Sequence, residues 1–286
     1  LSNGKHFYIM KLKTPLRYPG GKSRVAKKLI KWFPDDINEY REPFLGGGSM
    51  AIQFTLHNPD TPVWVNDKYD YLYNFWKNLK ENGEELSDAL VKIKLENDDE
   101  PSAKELFKNA KETIRQVGSF DQSVLFWILN KCSYSGLTEN SSFSATASRQ
   151  NFTVRGAKAL KEYSKLIQNW TITNYDYTEL LQESTDCFIF LDPPYLIGSY
   201  LYGSDASLHK SFDHTFFADN CKNCVHKWLL TYNMHDDIVD LFKNFNQTEF
   251  AITYGMQHRR DNRKKELLIS NYEIDPPTPV EMLYGT

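Results

Sequence analysis

The chain predicts an α/β fold, a mainly parallel sheet covered by helices and interrupted by a helical insertion. Cys187-Phe188-Ile189-Phe190-Leu191 is a run of large residues with no polar face, as expected of a strand buried on both sides. Three glycines, Gly46 to Gly48, stand between a short strand and a helix, where open sheets place their βα turn. From about 71 to 168 the strands give way to apolar residues at three- and four-residue spacing, which predicts an inserted helical domain. With 286 residues and 41% hydrophobic content the chain can bury a core of this kind.

No apolar run approaches the roughly eighteen residues of a membrane span, and the N-terminus lacks a charged-then-apolar signal pattern, so a cytoplasmic protein without membrane association is expected. Residues 1–9, ahead of Met10, read either as an upstream extension or as an appended stretch. Cys221 and Cys224 form a C-x-x-C inside an amphipathic helical pattern, but no second pair completes a zinc site. No metal is expected, and reduced thiols are the default for Cys132, Cys187, Cys221 and Cys224. The net charge is −3 but is unevenly spread: residues 1–34 hold nine Lys or Arg and no acid, and 259–265 hold five against one. Segregated charge of this kind suits a phosphate-facing surface; an ordinary solvated helix face plus a basic loop is the alternative for either patch alone.

In chain order, Tyr18-Pro19-Gly20-Gly21-Lys22-Ser23 precedes a helical pattern at Val25, Ala26, Leu29, Ile30 and Phe33, with Ser23 at the N-cap position. The two glycines bring backbone N–H groups and Lys22 close to an anion, a carboxylate or a phosphate; the spacing is not that of a P-loop. Glu42-Pro43-Phe44-Leu45-Gly46-Gly47-Gly48-Ser49 then leads into a helix from Met50 to His57, with a glycine turn that allows a ligand close to the backbone. The spacing of Phe44, Gly46 and Gly48 departs from G-x-G-x-x-G because position 51 is Ala. Pro62 to Asp67 reads as a second strand ending in an acid about twenty residues beyond the glycines, where ribose hydroxyls are met; a helix-capping role is the competing reading of Asp67.

Helical spacing over 69–80, 84–95, 102–117 and 120–131 builds the insertion, which runs into a polar stretch from Thr138 to Gln150, a loop or hairpin suited to polar contacts. A helix over 157–168 returns to a strand at Trp170 to Tyr177, with Asp176 either a turn residue or an acceptor for an amino group. Strands over 228–232, 248–254 and 266–272 and a helix over 236–245 follow, with a basic loop, Arg259, Arg260 and Arg263, between the last two strands.

Asp192-Pro193-Pro194-Tyr195 follows the buried apolar run. The prolines have no N–H for a ladder, so the chain leaves the sheet as a stiff arm at the carboxyl end of a strand. A proline turn with a locally bonded Asp accounts for this much. A chemical reading goes further: a carboxylate oxygen of Asp192 and the Pro193 carbonyl accept both protons of one exocyclic amino group, and Tyr195 offers a face to its ring.

This D-P-P-Y segment resembles the catalytic motif of DNA N6-adenine methyltransferases, and residues 15–272 resemble the DNA adenine methylase (D12 class) family in the order N-terminal motif, glycine loop, helical insertion, D-P-P-Y. The resemblance implies a Rossmann-like S-adenosylmethionine-dependent methyltransferase, with a mainly parallel seven-stranded sheet. It implies a catalytic domain over 11–70 and 169–275 and a target-recognition domain over 71–168 with a DNA-contacting hairpin. Asp192, Pro193, Pro194 and Tyr195 are the expected catalytic residues. Tyr18, Gly20, Gly21, Lys22, Phe44, Gly46, Gly48, Ser49, Asp67, Asp176 and Asp192 are expected at the cofactor. Asn130, Tyr134, Ser135, Gly136 and Leu137 resemble the start of the family's hairpin. The expected DNA contacts are Lys131, Ser133, Tyr134, Ser135, Asn140, Ser142, Arg259, Arg260 and Arg263. After Leu137 the chain departs from its relatives, with Thr138, Glu139 and Asn140 where basic residues are common, so no target sequence carries over. Double-stranded DNA is the expected partner, with a cognate restriction endonuclease as a further one. Competing readings are an RNA or protein methyltransferase with the same loop, an N4-cytosine enzyme, whose family usually has Ser at the Asp192 position, and a DNA-binding module without activity.

Overall fold

The computed structural model describes residues 12–182, 185–196, 212–253 and 263–274. Seven strands form one sheet: β1 Tyr40–Glu42, β2 Val63–Asn66, β3 Trp170–Thr173, β4 Phe188–Leu191, β5 Lys227–Asn233, β6 Asn246–Thr253 and β7 Arg263–Ser270. Their order is β3-β2-β1-β4-β5-β7-β6. The pairs among β1 to β5 are parallel, and β7 runs antiparallel to both neighbours.

β4 sits at the centre, as its composition requires. Phe188 and Phe190 point into one hydrophobic cluster and Ile189 and Leu191 into the other. The period of two therefore divides an all-apolar strand between two cores. On the second face lie α9 His214–Asn223 and α10 Asp236–Leu241. On the first lie α1 Ala26–Leu29 with a following 3-10 turn, α2 Ser49–His57, and the helical segment α3 Asp70–Glu81, α4 Gly83–Glu96, α5 Glu100–Thr113, α6 Ser119–Cys132 and, after α7 Ala145–Asn151, which packs on α5 and α6, α8 Val154–Leu166. This segment shares one continuous cluster with the sheet: Trp76 of α3 packs on Trp170 of β3 with centroids 5.7 Å apart.

Three local expectations change. Ser23 does not cap α1, whose N-cap is Val25; the Lys22 carbonyl already takes the N–H groups of Val25 and Ala26 at 2.8 Å, the two donors a capping Ser23 hydroxyl would accept. The strand expected to reach Tyr177 stops at Thr173, because buried Asn66 accepts the Tyr175 N–H at 2.7 Å and donates to the carbonyls of Pro43 and Tyr175 at 3.2 Å, turning the chain. The polar stretch 138–150 is only half loop. Ser133 and Phe143 form an antiparallel bridge, and the Ser144 hydroxyl then caps α7 by accepting the Ala147 N–H at 3.3 Å.

Candidate active site at the strand ends

The carboxyl ends of β1, β2 and β4 carry acids, Glu42, Asp67 and Asp192, and β7 adds Glu266. Lys22 enters among them from the turn before α1 with 3% of its surface exposed. Its ammonium donates to Oδ1 and Oδ2 of Asp192 at 2.7 and 2.8 Å, to the Tyr195 hydroxyl at 2.8 Å and to the Gly20 carbonyl at 3.2 Å. Of the two anions expected for Lys22, the structure supplies a carboxylate, the chain's own. Thr231 of β5 donates to Asp192 Oδ1 at 2.9 Å. The expected catalytic carboxylate is thus held from two sides.

Beyond Asp192 the proline arm is held in turn. Tyr232 donates to the Pro194 carbonyl at 3.3 Å and bonds His214 Nδ1, while its ring stacks on Tyr195 at 5.7 Å. Asn233 Nδ2 donates to the Leu196 carbonyl at 3.1 Å. Among the described residues no hydrogen bond takes the Pro193 carbonyl. Burial, with Asp192 and Glu266 close by, lifts the Tyr195 phenol well above its ordinary pKa, so it stays a hydroxyl.

Two other acids lie at the strand ends. Glu42 accepts from the Tyr40 hydroxyl at 2.8 Å, and burial raises its pKa well above the carboxylate range. Asp67 is pushed up to about 6 by burial, opposed by two backbone bonds: Oδ2 accepts the Gly46 N–H at 2.8 Å and Oδ1 the Tyr69 N–H at 3.0 Å. It therefore caps the entry to α3 and ties down the glycine turn at once. The glycines themselves answer to packing by side chains. A Cβ on Gly46 would meet the Tyr18 ring at 2.9 Å, and one on Gly48, whose φ is +66°, would meet Trp76 at 2.6 Å. Trp76 also donates to the Gly46 carbonyl at 3.1 Å. Ser49 opens α2 and is buried, and Phe44 leans on Tyr177 at 5.3 Å. Asp176 is exposed and caps the 3-10 turn Tyr177–Leu181 through Oδ1, accepting the N–H and hydroxyl of Thr178 at 3.1 and 2.8 Å.

The hairpin start is stapled to the N-terminal motif. Buried Asn130 accepts the Arg17 N–H at 2.9 Å and donates to the Arg17 carbonyl at 2.7 Å and the Gly136 carbonyl at 3.3 Å, and Arg17 Nη1 donates to the Ser133 carbonyl at 2.7 Å. Ser133 is fully buried and its hydroxyl accepts the Thr138 N–H at 3.2 Å, so among the expected DNA contacts it faces inward. Tyr134 is 64% exposed, Ser142 is exposed, and Ser135 and Asn140 are half-buried. Lys131 lies over the Trp127 ring at 5.2 Å, and burial, with Arg17 near, lowers its pKa to about 7. Arg259 and Arg260 lie outside the described residues, and Arg263 opens β7. Thr231, Glu42 and Glu266 are site residues that the sequence does not single out; the last carries a signal, an acid beside the apolar run Leu267 to Ile269.

This sheet order, with a glycine turn after β1 and an Asp-Pro-Pro-Tyr arm after β4, defines a Rossmann-like methyltransferase. Residues 18–256 match the profile of the D12 class N6 adenine-specific DNA methyltransferases, and the chain belongs to that family. It is 22% identical over 271 residues to the type II methyltransferase M1.LlaDCHI of Lactococcus lactis subsp. cremoris, covering 90% of this chain and 94% of that one. It is 26% identical over 203 residues to the type II methyltransferase M.MjaIII of Methanocaldococcus jannaschii, covering 65% and 70%. It is 24% identical over 249 residues to the type II methyltransferase M.CviBI of Paramecium bursaria Chlorella virus NC1A, covering 85% and 91%. The chain is therefore a DNA methyltransferase. Among the described residues no helix is long and apolar enough to cross a membrane, and no group of three or more His, Cys, Asp or Glu is placed to hold a metal ion.

Proposed function

We propose that this chain is a site-specific DNA adenine-N6 methyltransferase that moves the methyl group of S-adenosylmethionine to an adenine flipped out of double-stranded DNA. The observation that carries the reading is the pair of acceptors at the end of β4: the Asp192 carboxylate, positioned by Lys22 and Thr231, and the Pro193 carbonyl, which accepts no hydrogen bond among the described residues. Adenine N6 is a poor nucleophile because its lone pair is delocalised into the ring. Holding its two protons on these acceptors aims the lone pair away from Asp192 and into the cleft, and orientation of this kind lowers the barrier without a covalent enzyme intermediate. Flipping costs a few kcal/mol of unstacking, which the Tyr195 face offsets.

The charges at the strand ends suit the cofactor. Burial keeps Glu42 protonated, while Asp67 and Asp192 outnumber Lys22, a field that suits a cationic sulfonium and opposes the diphosphate of a dinucleotide. Asp67 and the glycine turn would hold the ribose, Asp176 Oδ2 the adenine amino group, and Tyr18, Gly20, Gly21, Phe44, Gly48 and Ser49 the rest of the pocket. S-adenosylmethionine supplies an electrophilic methyl on positively charged sulfur.

In this reading 11–70 with 169–275 is catalytic and 71–168 recognises the target. Tyr134, Ser135, Asn140 and Ser142 face bases, Lys131, Arg259, Arg260 and Arg263 face phosphates, and Ser133 holds the hairpin. A cognate restriction endonuclease belongs to the same reading, since the relatives are named type II methyltransferases. Sequencing DNA from cells expressing the protein should show N6-methyladenine at one short motif. Asp192→Ala should abolish it while retaining the fold and most DNA binding, and near-normal turnover by that variant would remove Asp192 from the chemistry.

A further inference from the structure

Glu266 is 2% exposed, and neither carboxylate oxygen has a well-formed hydrogen bond among the described residues. A buried carboxylate with so little donation is costly, so its retention calls for an explanation. Its surroundings offer one. Oε2 lies 3.9 Å from Lys22 Nζ, and the Tyr195 hydroxyl, whose oxygen already accepts from Lys22, still has its own proton to direct at Glu266. Asn233, directly opposite on β5 and on the same face, has a buried Oδ1 that is likewise without a donor.

The conflict lies at Asp192. In this structure its charge is neutralised by an ammonium at 2.7 Å and its Oδ1 takes a second donor from Thr231. An amino group that gathers positive charge as it is methylated needs that carboxylate as an acceptor, with no ammonium competing for it. Lys22 cannot simply leave, because an unpaired buried ammonium is also costly.

We propose that Glu266 is a second seat for Lys22: when the target amino group takes Asp192, the Lys22 ammonium moves about 1 Å toward Glu266, a distance set by ordinary hydrogen-bond geometry, and stays paired. No bond is made or broken, and the proton stays on Lys22. Glu266 is thereby a positioning residue, acting through Lys22 on the acceptor strength of Asp192. This rests on the assignment of Asp192 given above. Among the described residues the titratable groups facing Glu266 are Lys22, Asp192 and Tyr195, and burial raises its pKa to about 7, so the seat is open above neutrality and closes as the carboxyl is protonated.

The test is single-turnover methylation of genomic DNA from cells lacking DNA methylases, with tritiated S-adenosylmethionine, from about pH 6 to about pH 9. The full-length wild type should lose rate as pH falls through about 7. Glu266→Gln should be about tenfold slower above neutrality and lack that limb, with cofactor and DNA affinities within about twofold of wild type, and Glu266→Asp should recover part of the rate. A wild-type profile flat across that range overturns the proposal even if the glutamine variant fails to fold. So does a glutamine variant at wild-type rate, or one that keeps the limb. If Asp192→Ala is inactive while Glu266→Gln is normal, only the second seat falls; if Asp192→Ala is active, the acceptor reading itself falls.

Discussion

Asp67 shows how one side chain serves two structural roles, of which the sequence suggested only the helix cap. Its Oδ1 caps Tyr69 and its Oδ2 holds the Gly46 N–H, so the helix cap and the anchor of the glycine turn are the same carboxylate. Replacing it with Ala removes both bonds and the charge offered to ribose. Cofactor affinity should fall by about 1.5 to 3 kcal/mol, roughly 10- to 150-fold in Kd. Calorimetry on the purified protein measures this, and an unchanged affinity would leave Asp67 as a cap alone. Thr231 lies on the same scale: a β-branched residue in a buried strand reads as packing, yet its hydroxyl meets Asp192.

At the level of elements, the critical joint is between the N-terminal motif and the end of α6. The Asn130 side chain closes two hydrogen bonds across it and a third to the Gly136 carbonyl of the hairpin start, while Gly136, at φ +75°, passes so close that a Cβ would lie 2.5 Å from the Arg17 carbonyl. Asn130→Ala leaves backbone groups at Arg17 and Gly136 without partners, and it should lower stability by on the order of 3 kcal/mol. Because the hairpin is positioned through this joint, site preference in methylation should also blur, which sequencing of methylated sites would reveal. A variant as stable as wild type in urea, with unchanged sites, would show that the joint is held elsewhere. The helical segment was legible as helices because its spacing is regular. Its continuity with the sheet core was not, since Trp76 and Trp170 are 94 positions apart in the chain and meet only in three dimensions.

Across the whole molecule, buried acids set the response to pH. Asp67 is raised to about 6 and Glu266 to about 7, both by burial first. A carboxyl whose folded pKa exceeds its unfolded one contributes stability in its protonated form. That contribution is complete below the unfolded value near 4 and is lost as pH rises through the folded value. Glu266→Gln removes this loss, so its Tm should match wild type near pH 4 and exceed it by about 5 °C near pH 8. Thermal melts across pH test the sign. A difference that does not vary with pH would mean that Lys22 already compensates Glu266 fully. The same substitution is expected to slow methyl transfer, so stability and turnover would move in opposite directions.

The sequence by itself determined the strand at Phe188 to Leu191, the glycine turn, the proline arm and the order in which they occur. Each of these is a local consequence of side-chain shape: an all-apolar run, residues without a Cβ, and residues without an N–H. Tertiary structure decided what those pieces face. The glycines at 46 and 48 answer to Tyr18 and Trp76, residues 28 positions before one and after the other. The Asp192 carboxylate meets Lys22 from 170 positions away, and Lys22 in turn lies within reach of Glu266 on the antiparallel strand at the far side of β5. A lone acid or lysine in a sequence has no periodicity to reveal its partner. Only the closing of the sheet brings these charges into one buried cluster, where loss of water makes their pairing matter.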